Sequence, residues 1–446
     1  VRQGKAFLMP PTAGPGKAAT PPTSLWRHHD FRQLWAGDTV SVTGIQLVSF
    51  AMPLMAVQLL QADAFQMGIL AALESAAFLL ISLPAGAWVD RMRKKRVIIF
   101  GDLLRAALLL TLPVAWLLDA LTLPHLYVVA ALVGVVTVFF DVANQSYLPQ
   151  ILDGSQISDG NGKLQASQQT AMVLGPTAAS ALIRFIGSPL TIAVTSVCMA
   201  LSSLFVSRIR HREVPADPQT RRPLAVEIRE GLSFVLKHPL LRRIVACTGL
   251  LNFSTSATFA LFVLYTLRTL GLSETTLGIV MSVTSAGGIL GAVTASRFQR
   301  LVGEGRAIPL ASGLAGLALL STPLASYLPA APCLMIGGFI TSWGVVVYNI
   351  TQGSFRQRLC PKPLLGRMNA SIRFLVWGPM PLGALLGGLL GSTLGVLPAL
   401  WIFAAIAILA SVPVLASRLI TMRDLPLELD ALAGPSPDDS ATVKGK

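Results

Sequence analysis

The chain has 446 residues, of which 53% are hydrophobic and only 13% charged, about half the soluble share of ~25%. Mean hydropathy is +0.65, and the net charge of +14, from 35 Lys and Arg against 21 Asp and Glu, lies almost wholly outside the apolar runs. This excludes a soluble enzyme, a disordered chain and a barrel of alternating strands. It predicts an all-α membrane protein.

Residues 1–24, rich in Pro, Gly, Ala and Thr, read as a disordered cytoplasmic tail. Apolar stretches then follow at Leu34–Leu60, Gln66–Val89, Val97–Leu118, Pro124–Ser146, Leu164–Ile186 and Pro189–Ser207. After a basic linker come Leu241–Leu267, Thr276–Phe298, Ile308–Tyr327, Pro332–Ser354, Leu364–Leu390 and Val396–Leu419. Each is long enough to cross a bilayer, which takes about 20 residues. Twelve transmembrane helices are therefore expected, as bundles at 25–207 and 238–422, with a linker at 208–237 and a cytoplasmic tail at 423–446.

The basic residues set the expected orientation. With the N-terminus inside, Arg91 to Arg96, Lys163, the 208–243 cluster, Arg297, Arg300, Arg306, Arg356, Arg358, Lys362 and Arg367 all fall on the cytoplasmic side. The other side receives Arg184 and Arg268 alone. The positive charge then serves topology and contact with anionic membrane lipid, and no nucleic acid need be invoked. Both termini are expected in the cytoplasm, with the chain in the plasma (inner) membrane.

The halves echo each other. Met67-Gly68-Ile69 and Leu277-Gly278-Ile279 open the second and eighth spans, with Ser75-Ala76 and Ser285-Ala286 at matching offsets. Gly175-Pro176 is echoed by Gly378-Pro379, and Asn144 by Asn349. A parallel repeat of two six-helix bundles places a substrate cavity between them at the bilayer midplane.

Gly86-Ala87-Trp88-Val89-Asp90-Arg91-Met92-Arg93-Lys94-Lys95-Arg96 resembles the signature loop between helices two and three of the major facilitator superfamily. The likeness runs from about Phe31 to Leu419. Phe31-Arg32-Gln33-Leu34-Trp35-Ala36-Gly37, Leu83-Pro84-Ala85-Gly86 and Phe139-Phe140-Asp141-Val142-Ala143 are similar to the branch containing the enterobactin exporter and bacterial drug and macrolide efflux proteins. The resemblance implies the major facilitator fold and secondary transport by alternating access. Gly175-Pro176 resembles the antiporter-associated motif, although Ala179 and Ser180 stand where the family prefers glycine. That implies antiport and a bend there, with a matching bend at Gly378-Pro379. Where relatives carry an acid after Ser-x-x-Gly of the first span, Ser41-Val42-Thr43-Gly44 is followed by Ile45.

Asp90 ends the second helix, where the helix dipole disfavours it, so it needs a partner elsewhere, expected at the N-terminus of the eleventh helix near Gly366 together with Arg91 or Arg93. With Gly86 and Arg91 it belongs to an expected gating cluster of Asp90, Arg93 and Asp141, joined by Asp102 or Arg105. Ionisable residues within spans are functional candidates by default. Glu74, mid-span, whose repeat mate is Thr284, is the candidate for proton coupling. Asp38 is a second, close enough to the first span's end for a solvated or capping role. Arg373, nine residues into the eleventh span, could attract an anionic substrate, balance an acid such as Glu74 or form a structural ion pair. Gln46, Asn252, Phe253, Tyr265, Trp343, Tyr348 and Asn349 are candidates to line the cavity. Cys198, Cys247, Cys333 and Cys360 have no metal or redox spacing.

The chain has no G-x-x-x-x-G-K-[ST], H-E-x-x-H, C-x-x-C or G-x-S-x-G sequence, so nucleotide hydrolysis, metal sites, cofactors and catalysis are not expected. The expected protein is a monomeric, proton-coupled antiporter exporting small hydrophobic or amphipathic molecules. Its rivals are a proton symporter importing a metabolite and a transport-dead membrane receptor.

Overall fold

The structure is a computed structural model that describes residues 25–152, 154–211, 213, 224–359 and 365–423. Among these residues the chain is helical throughout, with no strand. The first helices are α1 (His29–Gln58), α2 (Ala64–Arg91), α3 (Lys94–Leu117), α4 (Leu123–Ile151) and α5 (Gly154–Ser207). Then follow α6 (Leu224–Lys237), α7 (Pro239–Leu264), α8 (Glu274–Val302), α9 (Glu304–Ala318), α10 (Ser321–Leu324) and α11 (Ala330–Leu359). The chain closes with α12 (Leu365–Trp377), α13 (Pro379–Thr393), α14 (Val396–Ala410) and α15 (Val412–Leu415).

Eleven stretches among the described residues are long and apolar enough to cross a membrane. One of them, Asp159–Ser207, has 49 residues, and a straight helix of that length would run about 74 Å, far beyond a hydrocarbon core of ~30 Å. It turns back at Gly187, whose φ of 82° is open to glycine at little cost. The packing on α1 shows the reversal. Gly175 lies against Gln46, and Thr195 and Cys198 lie against Gly44 two residues away, so residues on either side of Gly187 reach one level. Two spans therefore share α5, which gives twelve crossings. Among the described residues the seventh, ninth, eleventh and twelfth spans are the irregular ones. Pro379 and Pro381 each withhold a backbone N–H, and the eleventh span divides at Gly378.

The repeat is visible in the caps. His28 Nδ1 accepts from Phe31 N at 3.2 Å, and 210 residues on, His238 Nδ1 accepts from Leu241 N at 3.2 Å. Asp63 caps α2 with a reciprocal Gln66 bond, and Ser273 caps α8 at the equivalent place. Each bundle has its own core, and Val263, Leu264 and Leu277 of the second bundle join the first core. Leu54, Met55, Leu109 and Leu126 fill one, and Ile244, Ile308, Val347 and Phe355 fill the other.

The bundles meet along two seams, α2 against α13 and α5 against α8. Glycines bring the backbones together there, since a Cβ on Gly68 would lie 2.6 Å from Gly388 Cα and one on Gly278 would lie 2.9 Å from Pro176 O. The hydrogen bonds joining the bundles gather at the end where α1 finishes and α2 begins. Arg268 Nη2 donates to Val57 O at 2.9 Å and to Gln61 Oε1 at 3.1 Å, and Gln58 donates to Glu274. Thr177 and Ser282 hydroxyls meet at 2.6 Å one level deeper. We call this the far end, and the one carrying Arg93–Arg96 the basic end.

Candidate functional site

Two polar groupings lie within the apolar spans. The first is inside the N-terminal bundle. Asp102 and Arg105 are three apart on α3, so one helix face holds both, and both are fully buried with Arg105 Nη2 2.5 Å from Asp102 Oδ1. Ser41 donates to the same carboxylate oxygen at 3.2 Å, and Arg105 reaches Thr137 Oγ1 at 3.5 Å. The Arg105 guanidinium stacks 4.0 Å from the centroid of the Phe140 ring. A buried ion pair survives only when its remaining lone pairs and protons are met. Here a hydroxyl and a ring face meet part of that need, while Asp102 Oδ2 and Arg105 Nε have no protein partner among the described residues. Asp38 belongs to this bundle interior too. It is 8% exposed, and Asn144 Nδ2 donates to it at 2.6 Å.

The second grouping crosses between the bundles. Arg373 on α12 donates to Gln145 Oε1 on α4 at 3.4 Å, and its guanidinium lies 5.0 Å from the Trp377 ring centroid. Trp377 in turn meets Phe78 of α2 edge-on at 5.1 Å. Asp141, half-buried on α4, lies within the fields of both Arg105 and Arg373 and so connects the two groupings. Asn252 on α7 donates to Val376 O at 2.9 Å, bracing α12 just before its break.

Glu74 stands one turn before Phe78 on the same face of α2. It is the eleventh residue of that helix, about 15 Å from its start and so near the bilayer midplane. It is half-buried, Gly134 of α4 packs closely against its backbone carbonyl, and among the described residues no hydrogen-bond or ion-pair partner reaches its carboxyl.

Several expectations change on this geometry. Asp38 is neither a solvated residue nor a cap, because α1 begins nine residues earlier and carries it into the bundle. Arg93 is exposed at the N-terminus of α3, while the buried cations near Asp141 are Arg105 and Arg373. The side chains of Gly86, Asp90 and Arg91 lie outside those the structure describes, as does Cys360. Gly175-Pro176 sits in unbroken helix and serves packing against Gln46, while Gly378-Pro379 does divide its span.

The expected cavity lining separates in the same way. Tyr348 is 1% exposed, and its hydroxyl bonds Thr248 at 2.7 Å and Ile244 O at 3.0 Å inside the C-terminal bundle. Tyr265 is fully buried in a π-helical turn, Tyr265–Thr269, with its hydroxyl 2.6 Å from Ser326. Trp343 donates to Thr294 at 2.9 Å, and Phe253 packs on Phe403. These four are packing residues. Asn349 is exposed and Gln46 half-buried. The sequence repeat pairs Asn349 with Asn144, yet Asn144 holds an acid and Asn349 accepts from Gln352 at 3.4 Å, so the mates diverge in role.

Phe78, Trp377 and Gln145 were not singled out as site residues from sequence. An aromatic in an apolar run carries no signal until its partner on a distant helix is known.

Comparison with known proteins agrees with this architecture. The sequence profile of the Major Facilitator Superfamily matches residues 34–380. The multidrug efflux pump Tap of Mycolicibacterium fortuitum is 28% identical over 79% of this chain and 86% of its own. The enterobactin exporter EntS of Salmonella choleraesuis (strain SC-B67) is 22% identical over 82% and 86%. Among solved structures, a bacterial homologue of the iron transporter ferroportin, in its inward-facing state, superposes with a TM-score of 0.70 at 17% identity. That superposition covers 88% of this chain and 99% of the other.

Proposed function

Because the chain belongs to the Major Facilitator Superfamily and is a membrane transporter, we propose that it is a proton-coupled antiporter exporting small hydrophobic or amphipathic molecules. In this reading it is a functional monomer of the plasma membrane, with both termini and the basic end in the cytoplasm. The bundles at 25–207 and 238–422 rock against each other, and the far end faces outward. The efflux direction draws on the two relatives, a multidrug pump and a siderophore exporter.

One observation carries the coupling. Glu74 places a carboxyl at the midplane, one turn from an aromatic contact between the bundles, with no protein cation to hold it ionised among the described residues. An acid in that setting is costly to keep charged. It gives up its proton when water reaches it and regains one when the seam closes. Exchange of a proton for substrate at such a group links the two gradients. Asp38 is the less suited of the two, since Asn144 already holds its carboxylate. Asp141, between Arg105 and Arg373, suits gating, because its charge draws α12 of one bundle toward α4 of the other.

The test uses inverted membrane vesicles and ethidium or tetracycline as probes. Glu74→Gln should exchange the probe down its gradient yet lose accumulation driven by a pH jump. A variant that still accumulates probe on the pH jump at the wild-type rate removes Glu74 from the coupling step.

A further inference from the structure

Helices α1 and α7 end alike at the far end, 210 residues apart. Leu60 N bonds Met55 O at 3.4 Å and Ala62 N bonds Ala56 O at 2.9 Å. In the second half Leu270 N bonds Tyr265 O and Leu272 N bonds Thr266 O, both at 3.0 Å. Each helix thus winds out through the same wide turn and leaves it at one left-handed residue. In the second half that residue is Gly271, at φ 64°. In the first half it is Gln61, at φ 51°. Glycine takes this conformation at little cost, whereas a residue with a Cβ is strained there. The repeat therefore puts a glycine where the first half keeps a glutamine.

The glutamine side chain accounts for the difference. The wide turn leaves Val57 O and Gln58 O, at the negative pole of α1, for other donors. Gln61 Nε2 donates to Gln58 O at 2.7 Å. Arg268 Nη2, from the other bundle, donates to Val57 O at 2.9 Å and to Gln61 Oε1 at 3.1 Å. Gln61 thus holds the guanidinium of one bundle over the last carbonyls of the other. Behind Arg268 its own turn is fixed, because the Tyr265 hydroxyl meets Ser326 at 2.6 Å and Thr266 is fully buried. Arg268 and Gln61 are both exposed, so water replaces their bonds when the seam parts.

We propose that Gln61 is a positioning residue that makes Arg268 a releasable bolt of the far-end gate, a helix C-cap lent by one bundle to the other. The bolt favours the closed far end through an exposed contact between charge and dipole, which is weak enough to break in every cycle. It rests on the alternating access proposed above and is independent of the coupling ion and the substrate.

Spin labels on cysteines at Ala120 and Leu394, exposed far-end positions of the two bundles, report the width of that end in nanodiscs. The background has its four native cysteines replaced by alanine. Arg268→Gln and Gln61→Gly should each raise the ratio of far-open to far-closed populations about two- to fivefold. Salt screens an exposed charge, so high salt should raise the ratio in the unmutated background and leave Arg268→Gln unchanged. Gln61→Gly copies the backbone of Gly271, so its melting temperature should hold or rise while the far end opens. Two label populations whose ratio neither variant moves overturn the bolt and leave the rocking motion standing. Salt sensitivity that survives in Arg268→Gln overturns the bolt equally. A single population in every sample overturns both the bolt and the rocking.

Discussion

At the scale of single residues, the Asp102–Arg105 pair shows how strictly the N-terminal bundle is specified. Both side chains are fully buried and closed off from water. Removing one partner leaves an uncompensated buried charge, which costs about 3–5 kcal/mol, whereas replacing both by apolar groups can be nearly neutral. Arg105→Leu should therefore lower the melting temperature in detergent sharply, and adding Asp102→Leu should recover most of the loss. A double variant no more stable than the single one would show that the pair stabilises the bundle in its own right. His238 gives a pH effect outside the membrane spans. Burial lowers its pKa below the usual 6.5, and its Nδ1 must be unprotonated to cap α7. The group is neutral in both folded and unfolded chains above that range, so it has no effect there. As pH falls below the unfolded value of about 6.5, the unfolded chain takes up a proton that the folded one resists, and stability declines. His238→Asn, which keeps a capping acceptor without a titration, should flatten the melting-temperature profile between pH 7 and pH 5.

At the scale of elements, the spans were legible and their irregularities only partly so. Runs of apolar residues far longer than a soluble strand or helix allow one interpretation, and the break at Gly187 followed from its Gly-Ser-Pro punctuation. The motif Gly-Pro appeared twice in sequence with the same expected bend. The helix is interrupted only at the second, where a further proline two residues on, Pro381, withholds another N–H. The same limit governed the site. Glu74, Asp38, Asp141 and Arg373 stood out because charges in apolar runs are costly, but their partners sit on other helices, up to 228 residues away for Arg373 and Gln145. Tyr265 and Tyr348 looked like cavity residues for being polar in a span, and sequence alone could not show that each finds a hydroxyl or carbonyl inside its own bundle. The seams yield a sharper expectation. Gly68 meets Gly388 backbone to backbone, so Gly68→Val has no flexible side chain to displace and must hold the helices apart. A cysteine at Ser282, beside Thr177 across the other seam, should then react faster with an impermeant maleimide in whole cells. Unaltered labelling would mean that the far end shuts without the contact between α2 and α13.

At the scale of the whole molecule, the contacts hold the two bundles together most closely at one end. The glycine seams and the bonds of Gln58, Gln61, Arg268 and Glu274 bring the bundles together at the far end. Farther toward the basic end the connections include the Phe78–Trp377 edge contact, the approach of Leu79 to Gly378 and the long Arg373–Gln145 bond. Alternating access requires the far-end seam to part once per cycle, and a covalent link across it tests that requirement directly. A Cβ on Gly391 would lie 3.1 Å from Ala64 Cβ, a little shorter than the ~3.5–4.5 Å separation of disulfide-bonded Cβ atoms. Small movements of α2 and α13 would bring a cysteine pair at these positions into bonding range. Ala64→Cys with Gly391→Cys should cross-link on mild oxidation, arrest transport of the probe, and regain it on reduction, while each single variant transports throughout. Continued transport in the cross-linked protein would place the moving seam elsewhere, leaving α2 and α13 as a fixed wall against which the remaining helices move.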